Sequence, residues 1–253
     1  GDWWDWPKET RQGARRPRTV FLARCRGVSL SGFGVRNSPS WTVHATHCRD
    51  LVATGLTIEN PPDSPNTDGL NPESCEDVLL AGIRFTVGDD CIAVKAGKRG
   101  PGAGEAHLAP TRNLRIRNCR MERGHGAVVM GSEMSGGITD VEIDRCEFAG
   151  TDRGLRIKTR RGRGGTVARV SLHHCRMEGV ATPLAINAFY FCDADGRSEA
   201  VQSRHPAPVD DTTPVIEDIS MADVTATGVH LAVAAALGLP ESPLRRIRLM
   251  RVT

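Results

Sequence analysis

The sequence predicts a parallel β-helix of about eight coils, forming a single domain over residues 1–253. Three observations predict it. An apolar pattern at i, i+2, i+5 and i+7 recurs eight times, the last copy stopping at i+5. Six of the eight cysteines hold fixed places within that pattern. Short motifs rich in Asp, His and Gly return at about the spacing of one coil.

The pattern begins as Val28/Leu30/Phe33/Val35, Leu51/Ala53/Leu56/Ile58 and Val78/Leu80/Ile83/Phe85. It continues as Leu114/Ile116/Cys119/Met121, Val141/Ile143/Cys146/Phe148 and Val170/Leu172/Cys175/Met177. Ile219/Met221/Val224/Ala226 and Ile247/Leu249/Val252 complete it. A spacing of two is strand alternation, and the jump from i+2 to i+5 shifts the phase as a bend between two strands would. Anchors are 23, 27, 36, 27, 29, 49 and 28 residues apart, and the long steps contain the Gly/Pro-rich 97–111 loop and the 192–214 segment. Helical periodicity is not sustained. Each coil then buries its apolar face against its neighbours, as a solenoid does.

Cys25, Cys48 and Cys75 each precede an anchor by three residues, while Cys119, Cys146 and Cys175 each follow one by five. That recurrence predicts two stacked ladders of buried free thiols. A disulfide framework is the rival, but side chains in a ladder point in parallel rather than at one another. Zinc is not expected: there is no CxxC pair, and His173-His174-Cys175 should alternate across a strand.

Composition narrows the partners. A net charge of +3 gives no global reason for nucleic acid or membrane, and the longest apolar run, Leu231 to Leu239, is too short to cross a bilayer. Basic residues are overwhelmingly Arg, with Lys only at 8, 95, 98 and 158, which reads first as a composition bias. The sequence opens at Gly1 without a methionine and leaves localisation open.

Along the chain, residues 1–24 hold three of the four tryptophans (Trp3, Trp4, Trp6) and are expected to pack over one end. The chemistry gathers in Asn66–Lys95, where Asp68 sits in an Asn-Thr-Asp-Gly turn and Asp89 and Asp90 follow 21 and 22 residues later. Equivalent points on successive coils lie about 4.7–4.9 Å apart, so three carboxylates gather on one face. Crowding pushes their proton affinities apart, letting one stay protonated while another is ionised, as a general acid and general base require. The plainer account is that Asn, Asp and Gly are ordinary turn formers. The next coil brings His125 between two glycines, eleven residues after its anchor, as Asp89 is after its own. One coil further, Arg156 and Lys158 share a strand face. They suit a carboxylate ligand, although neighbouring Arg160, Arg161 and Arg163 make this a basic surface in any case.

The ordered set Asn66-Thr67-Asp68-Gly69, Gly88-Asp89-Asp90, Gly124-His125-Gly126 and Arg156-Ile157-Lys158 resembles glycoside hydrolase family 28, the polygalacturonases. The resemblance covers nearly the whole chain, including Gly238-Leu239-Pro240-Glu241. The GSEMSGG run at 131–137 and Phe189-Tyr190-Phe191 are similar to bacterial exo-acting members. It implies a right-handed parallel β-helix that hydrolyses α-1,4-galacturonosyl linkages of pectin with inversion, with no metal or organic cofactor. Carried over, Asp89 is the general acid, Asp68 and Asp90 hold and deprotonate the attacking water, and His125 supports the acid. Asn66 belongs to the same motif set on the binding side, Arg156 and Lys158 grip a substrate carboxylate, and Tyr190 is a site tyrosine. Family members usually carry more chain at both ends, so the sequence is expected to be a segment lacking complete caps. The rivals are a rhamnogalacturonan hydrolase, which would not need Arg156 and Lys158 at the cleavage site, and a calcium-dependent pectate lyase, which would release unsaturated products. A non-catalytic carbohydrate-binding or adhesion β-helix would have no reason to align three aspartates with His125.

Overall fold

In the computed structural model, which describes residues 2–6, 15–100 and 104–253, the predicted anchors stand side by side. Lys8 and residues 101–103 of the 97–111 loop lie outside the described residues. Val28 pairs with Leu51, Leu51 with Val78, and so on through Leu114, Val141, Val170 and Ile219 to Ile247. The i+2 row is equally continuous from Leu30 to Leu249. The i+7 row runs Val35, Ile58, Phe85, Met121, Phe148, Met177, Ala226. These rows are the core. Phe85, Phe148, Leu51, Leu80, Leu114 and Ile116 are fully buried, each contributing about 1.5–3 kcal/mol of apolar transfer. Phe33 and Leu249, in the first and last coils, remain 36% and 44% exposed.

The pairings are parallel and make a β-helix with three faces. Sheet I comprises Val20–Ala23, Val43–Thr46, Leu70–Glu73, Asp90–Val94, Gly126–Gly131, Arg153–Lys158, Thr182–Asn187 and Ala234–Leu237. Its eight strands among the described residues match the expected number of coils. Sheet II carries the first two core rows, from Arg26–Ser31 to Arg245–Val252, and sheet III the i+7 row, from Gly34–Arg36 to Arg176–Glu178. Val215–Thr227 runs unbroken through both.

The phase shift has a backbone cause. In all eight repeats the residue at i+4 is left-handed: Gly32, Gly55, Gly82, Asn118, Arg145, His174, Asp223 and Arg251 have φ between 48° and 69°. The residue before each anchor is left-handed too. Such a residue turns the chain and resets strand alternation, at a cost of roughly 1–2 kcal/mol where the side chain is not Gly.

This corner corrects one expectation. His173 ends the strand Thr166–His173, but His174 occupies the left-handed position, and its ring returns to the side of His173. Both Nδ1 atoms lie 3.0 Å from Asp144 Oδ1. The two histidines therefore converge instead of alternating, because the second is in a turn. The cysteines stack as free thiols, with the Cys25 and Cys146 amides each 3.4 Å from the sulfur of the next rung, Cys48 and Cys175.

The 192–214 insertion, which includes the short helix Glu199–Gln202, is tied to the coils by charge. Arg160 donates to both oxygens of Asp195 at 2.7 and 2.6 Å, and Arg161 to both of Glu241 at 2.5 and 2.9 Å. Arg161 also reaches the carbonyl oxygens of Ser203 and His205, at 2.7 and 3.1 Å. Much of the basic run is thus spent on architecture. No helix among the described residues is long and apolar enough to cross a membrane.

Candidate active site

Sheet I and the turns that enter its strands border a cleft of about 1160 Å³. Ile92 pairs with Leu70, so the coil step is 22 residues, and Asp90 rather than Asp89 stands level with Asp68. Asp89 precedes the strand Asp90–Val94 and belongs to the turn. The next pairing, Asp90 with Gly126, brings His125 level with Asp89. The His125 amide donates to the Asp89 carbonyl at 3.0 Å, and His125 Nδ1 lies 3.2 Å from Asp89 Oδ1.

The two glycines beside His125 are packing requirements. A Cβ on Gly124, whose φ is 89°, would stand 2.3 Å from the Asp89 carbonyl oxygen. One on Gly126 would meet Val129 at 2.5 Å and approach Asp90 Oδ1 at 3.4 Å.

The structure brings the three acids together, with one oxygen of each within 4.8 Å of the others. Asp68 and Asp90 are 3% and 1% exposed, while the Asp89 side chain is 18% exposed. Burial, reinforced by the charge of Asp89, pushes Asp68 up to about 7 against the pull of Lys95. Asn71 Nδ2 donates to its Oδ2 at 2.8 Å. Burial would raise Asp89 as well. The hydrogen bond from His125, the charge of Lys158 and the Asp90 amide outweigh it and hold Asp89 at about 2. His125 moves up in return, chiefly through that hydrogen bond. One carboxyl of the cluster keeps a proton near neutrality while another stays ionised.

Lys158 Nζ donates to Asp90 Oδ2 at 2.7 Å, and Arg156 stands 3.7 Å from Asp90 Oδ1. That Oδ1 is buried and accepts no hydrogen bond among the described residues. The two cations expected to be free for a ligand thus face an internal acid as well as the cleft. Tyr190 is beside them, its ring centre 5.6 Å from the Arg156 guanidinium carbon and 5.4 Å from Lys158 Nζ. Asn66 lines the same cleft and accepts from Arg16 at 2.7 Å, holding that cation at the wall.

Some of the lining was missed from sequence. Trp41 lines the cleft, whereas the N-terminal tryptophans do not, with Trp4 donating to the Ser38 carbonyl at 3.1 Å. Lys95 Nζ sits 4.6 Å from the Trp41 ring centre and donates to Glu133 Oε2 at 2.8 Å. The signal was the scarcity of lysine: 95, 98 and 158, the three described lysines, all reach the cleft. Among the described residues eight Lys or Arg line it against six Asp or Glu, one of which holds a proton, so the site favours an anionic ligand.

A family model for glycosyl hydrolases family 28 matches residues 1–237. The chain belongs to this family. Within it, a probable polygalacturonase of Vitis vinifera is 34% identical over all of this chain and 49% of its own length. The endo-polygalacturonase of Pectobacterium carotovorum subsp. carotovorum is 31% identical over 74% of this chain and 45% of its own. Among solved structures, the exopolygalacturonase of Thermotoga maritima superposes with a TM-score of 0.74 at 25% identity, covering 93% of this chain and 55% of that one. The chain spans about half the length of the curated relatives it matches.

Proposed function

We propose that this protein hydrolyses α-1,4-galacturonosyl linkages of polygalacturonate by inverting general acid/base catalysis, releasing units from chain ends. One observation carries the reading: three carboxylates with divided proton affinities stand together in a cleft walled by cations. Membership of family 28 and relatives named polygalacturonase support it.

Asp89, the most open of the three acids, protonates the glycosidic oxygen. Its low proton affinity in the free protein depends partly on Lys158. A galacturonate carboxylate binding to Arg156 and Lys158 neutralises that charge and lifts Asp89 toward the protonated form, at the expense of Asp68. Asp68 and Asp90 then hold the attacking water, and Asp90 Oδ1, the buried acceptor without a partner, takes its proton. Tyr190 closes the carboxylate subsite. The acid oxygens lie closer together than the roughly 6.5–9.5 Å usual for carboxyl groups of inverting enzymes, so stereochemistry is best read from product.

End-on action is supported by the two insertions. Lys98 of the 97–111 loop pairs with Asp193 of the 192–214 segment, and Arg163 donates to the same Asp193 at 2.6 Å. Lys98 and Asp193 both line the cleft, so these ties bring the two insertions to its wall, where an uninterrupted solenoid groove would have neither. Early time points on long polygalacturonate test the proposal. Monomer should accumulate while viscosity stays high, and proton NMR should show the β-anomer first. No new reducing ends on any pectic polymer would remove the hydrolase reading, and a rapid viscosity drop would remove the exo reading alone.

A further inference from the structure

At the corner between sheets II and III, three donor atoms meet at one point. Asp144 Oδ1 lies 3.0 Å from His173 Nδ1 and 3.0 Å from His174 Nδ1, and the two nitrogens are 3.0 Å apart. The rings are nearly perpendicular, at 86°. Protons alone satisfy this triangle poorly. When neutral His173 gives its Nε2–H to Glu142 Oε1, 3.2 Å away, its bare Nδ1 faces Asp144 Oδ1 lone pair to lone pair, and only His174 has an Nδ1–H to offer the triangle. A single cation would satisfy all three donors at once.

We propose that Asp144, His173 and His174 form a binding site for a first-row divalent cation that accepts imidazole nitrogen. In a six-coordinate sphere three donors about 2.1 Å from one ion, at right angles to one another, stand about 3.0 Å apart, and a tetrahedral ion would draw them out to about 3.4 Å. The six-coordinate spacing is the edge observed, so the trio forms one face of a coordination sphere with its remaining positions toward solvent. Two imidazoles and one carboxylate favour zinc-like ions over calcium or magnesium, which prefer oxygen donors.

The surroundings fit. His173 Nε2 lies 3.2 Å from Glu142 Oε1, so a carboxylate fixes the tautomer that leaves Nδ1 free to ligate. The second oxygen of Asp144 is held by Arg145 at 2.5 Å, which leaves Oδ1 for the ion. His174 Nε2 points toward Asp223, 3.9 Å away in the following coil. Asp144 and His173 are paired residues of adjacent strands, so the ion would staple two coils. The site uses no residue of the cleft and does not depend on the proposed hydrolase activity.

The test is calorimetric titration of chelator-stripped protein with ZnCl₂ near neutral pH, beside His174→Ala and the double variant His173→Ala/His174→Ala. The expected result is one equivalent bound with Kd below about 100 μM, weakened at least tenfold in the double variant. His174 is exposed, so its variant should fold, as circular dichroism will show. Zinc should raise the melting temperature of the parent and not of the double variant. Absence of saturable binding in the parent, or a loss smaller than tenfold in the double variant, would overturn the site. Binding that survives there but is lost in Asp89→Asn would place the ion in the cleft instead, and likewise overturn it.

Discussion

Lys158 and Asp90 are 68 residues apart in sequence, yet Lys158 Nζ donates to Asp90 Oδ2 at 2.7 Å, with both side chains almost out of water. An acid so buried needs that partner. Lys158→Met leaves Asp90 with only the more distant Arg156, 3.7 Å away, and removing one member of a buried pair typically costs up to about 3–5 kcal/mol. A lower melting temperature in this variant is therefore expected. Arg156→Met, made at a side chain 3.7 Å from Asp90, is the gentler probe of binding. It should raise KM for galacturonate oligomers and narrow the discrimination between free-acid and methyl-esterified pectin. Unchanged discrimination would refute the carboxylate-gripping role.

Asp89→Asn should lower kcat by about 10²–10⁴-fold, the usual worth of a positioned proton donor. Thermal unfolding near pH 7 should come at a modestly lower temperature, since the fold holds Asp89 as an anion against His125 and the Asp90 amide and the neutral amide loses that charge. A variant keeping more than half the parent rate would take Asp89 out of the mechanism.

Asp68 gives a stability prediction with a definite sign. Its pKa rises from 3.8 to about 7 on folding, so the folded state favours the protonated form. That contribution is complete below pH 4 and is lost as pH rises through about 7. Asp68→Asn, which carries no charge to desolvate, should therefore be more stable than the parent at pH 8, by on the order of 2–4 kcal/mol and with a higher melting temperature, and should melt at about the parent's temperature at pH 4. An identical offset at both pH values would show that Asp68 is ionised throughout. The same substitution should abolish most activity, a trade of function against stability.

Asp193 joins Lys98 to Arg163 and so links the two insertions. Asp193→Ala should loosen that part of the cleft wall and shift products from monomer toward mixed oligomers, read by chromatography of early digests. An unaltered product pattern would mean that the Lys98–Asp193 tie does not set the mode of cleavage.

The sequence by itself determined the solenoid and its register. The i, i+2 and i+7 rows read from it are the rows that stack, because each apolar position must meet its equivalent one coil away or remain in water. It also placed the acids, His125 and the Arg156/Lys158 strand near one another, since a fixed coil length converts sequence spacing into spatial proximity. Only the tertiary structure decided which acid stands level with Asp68, because a step of 22 residues rather than 21 depends on how the Gly88 turn closes. It alone showed Lys158 paired with Asp90, Lys95 with Glu133, and Trp41 rather than Trp3 at the cleft. Those contacts cross coils, and side-chain reach, unlike backbone period, leaves no trace in spacing. The His173/His174 corner shows the same limit. Strand alternation sent the rings apart, and one left-handed residue, visible only as a φ of 52°, brought them together.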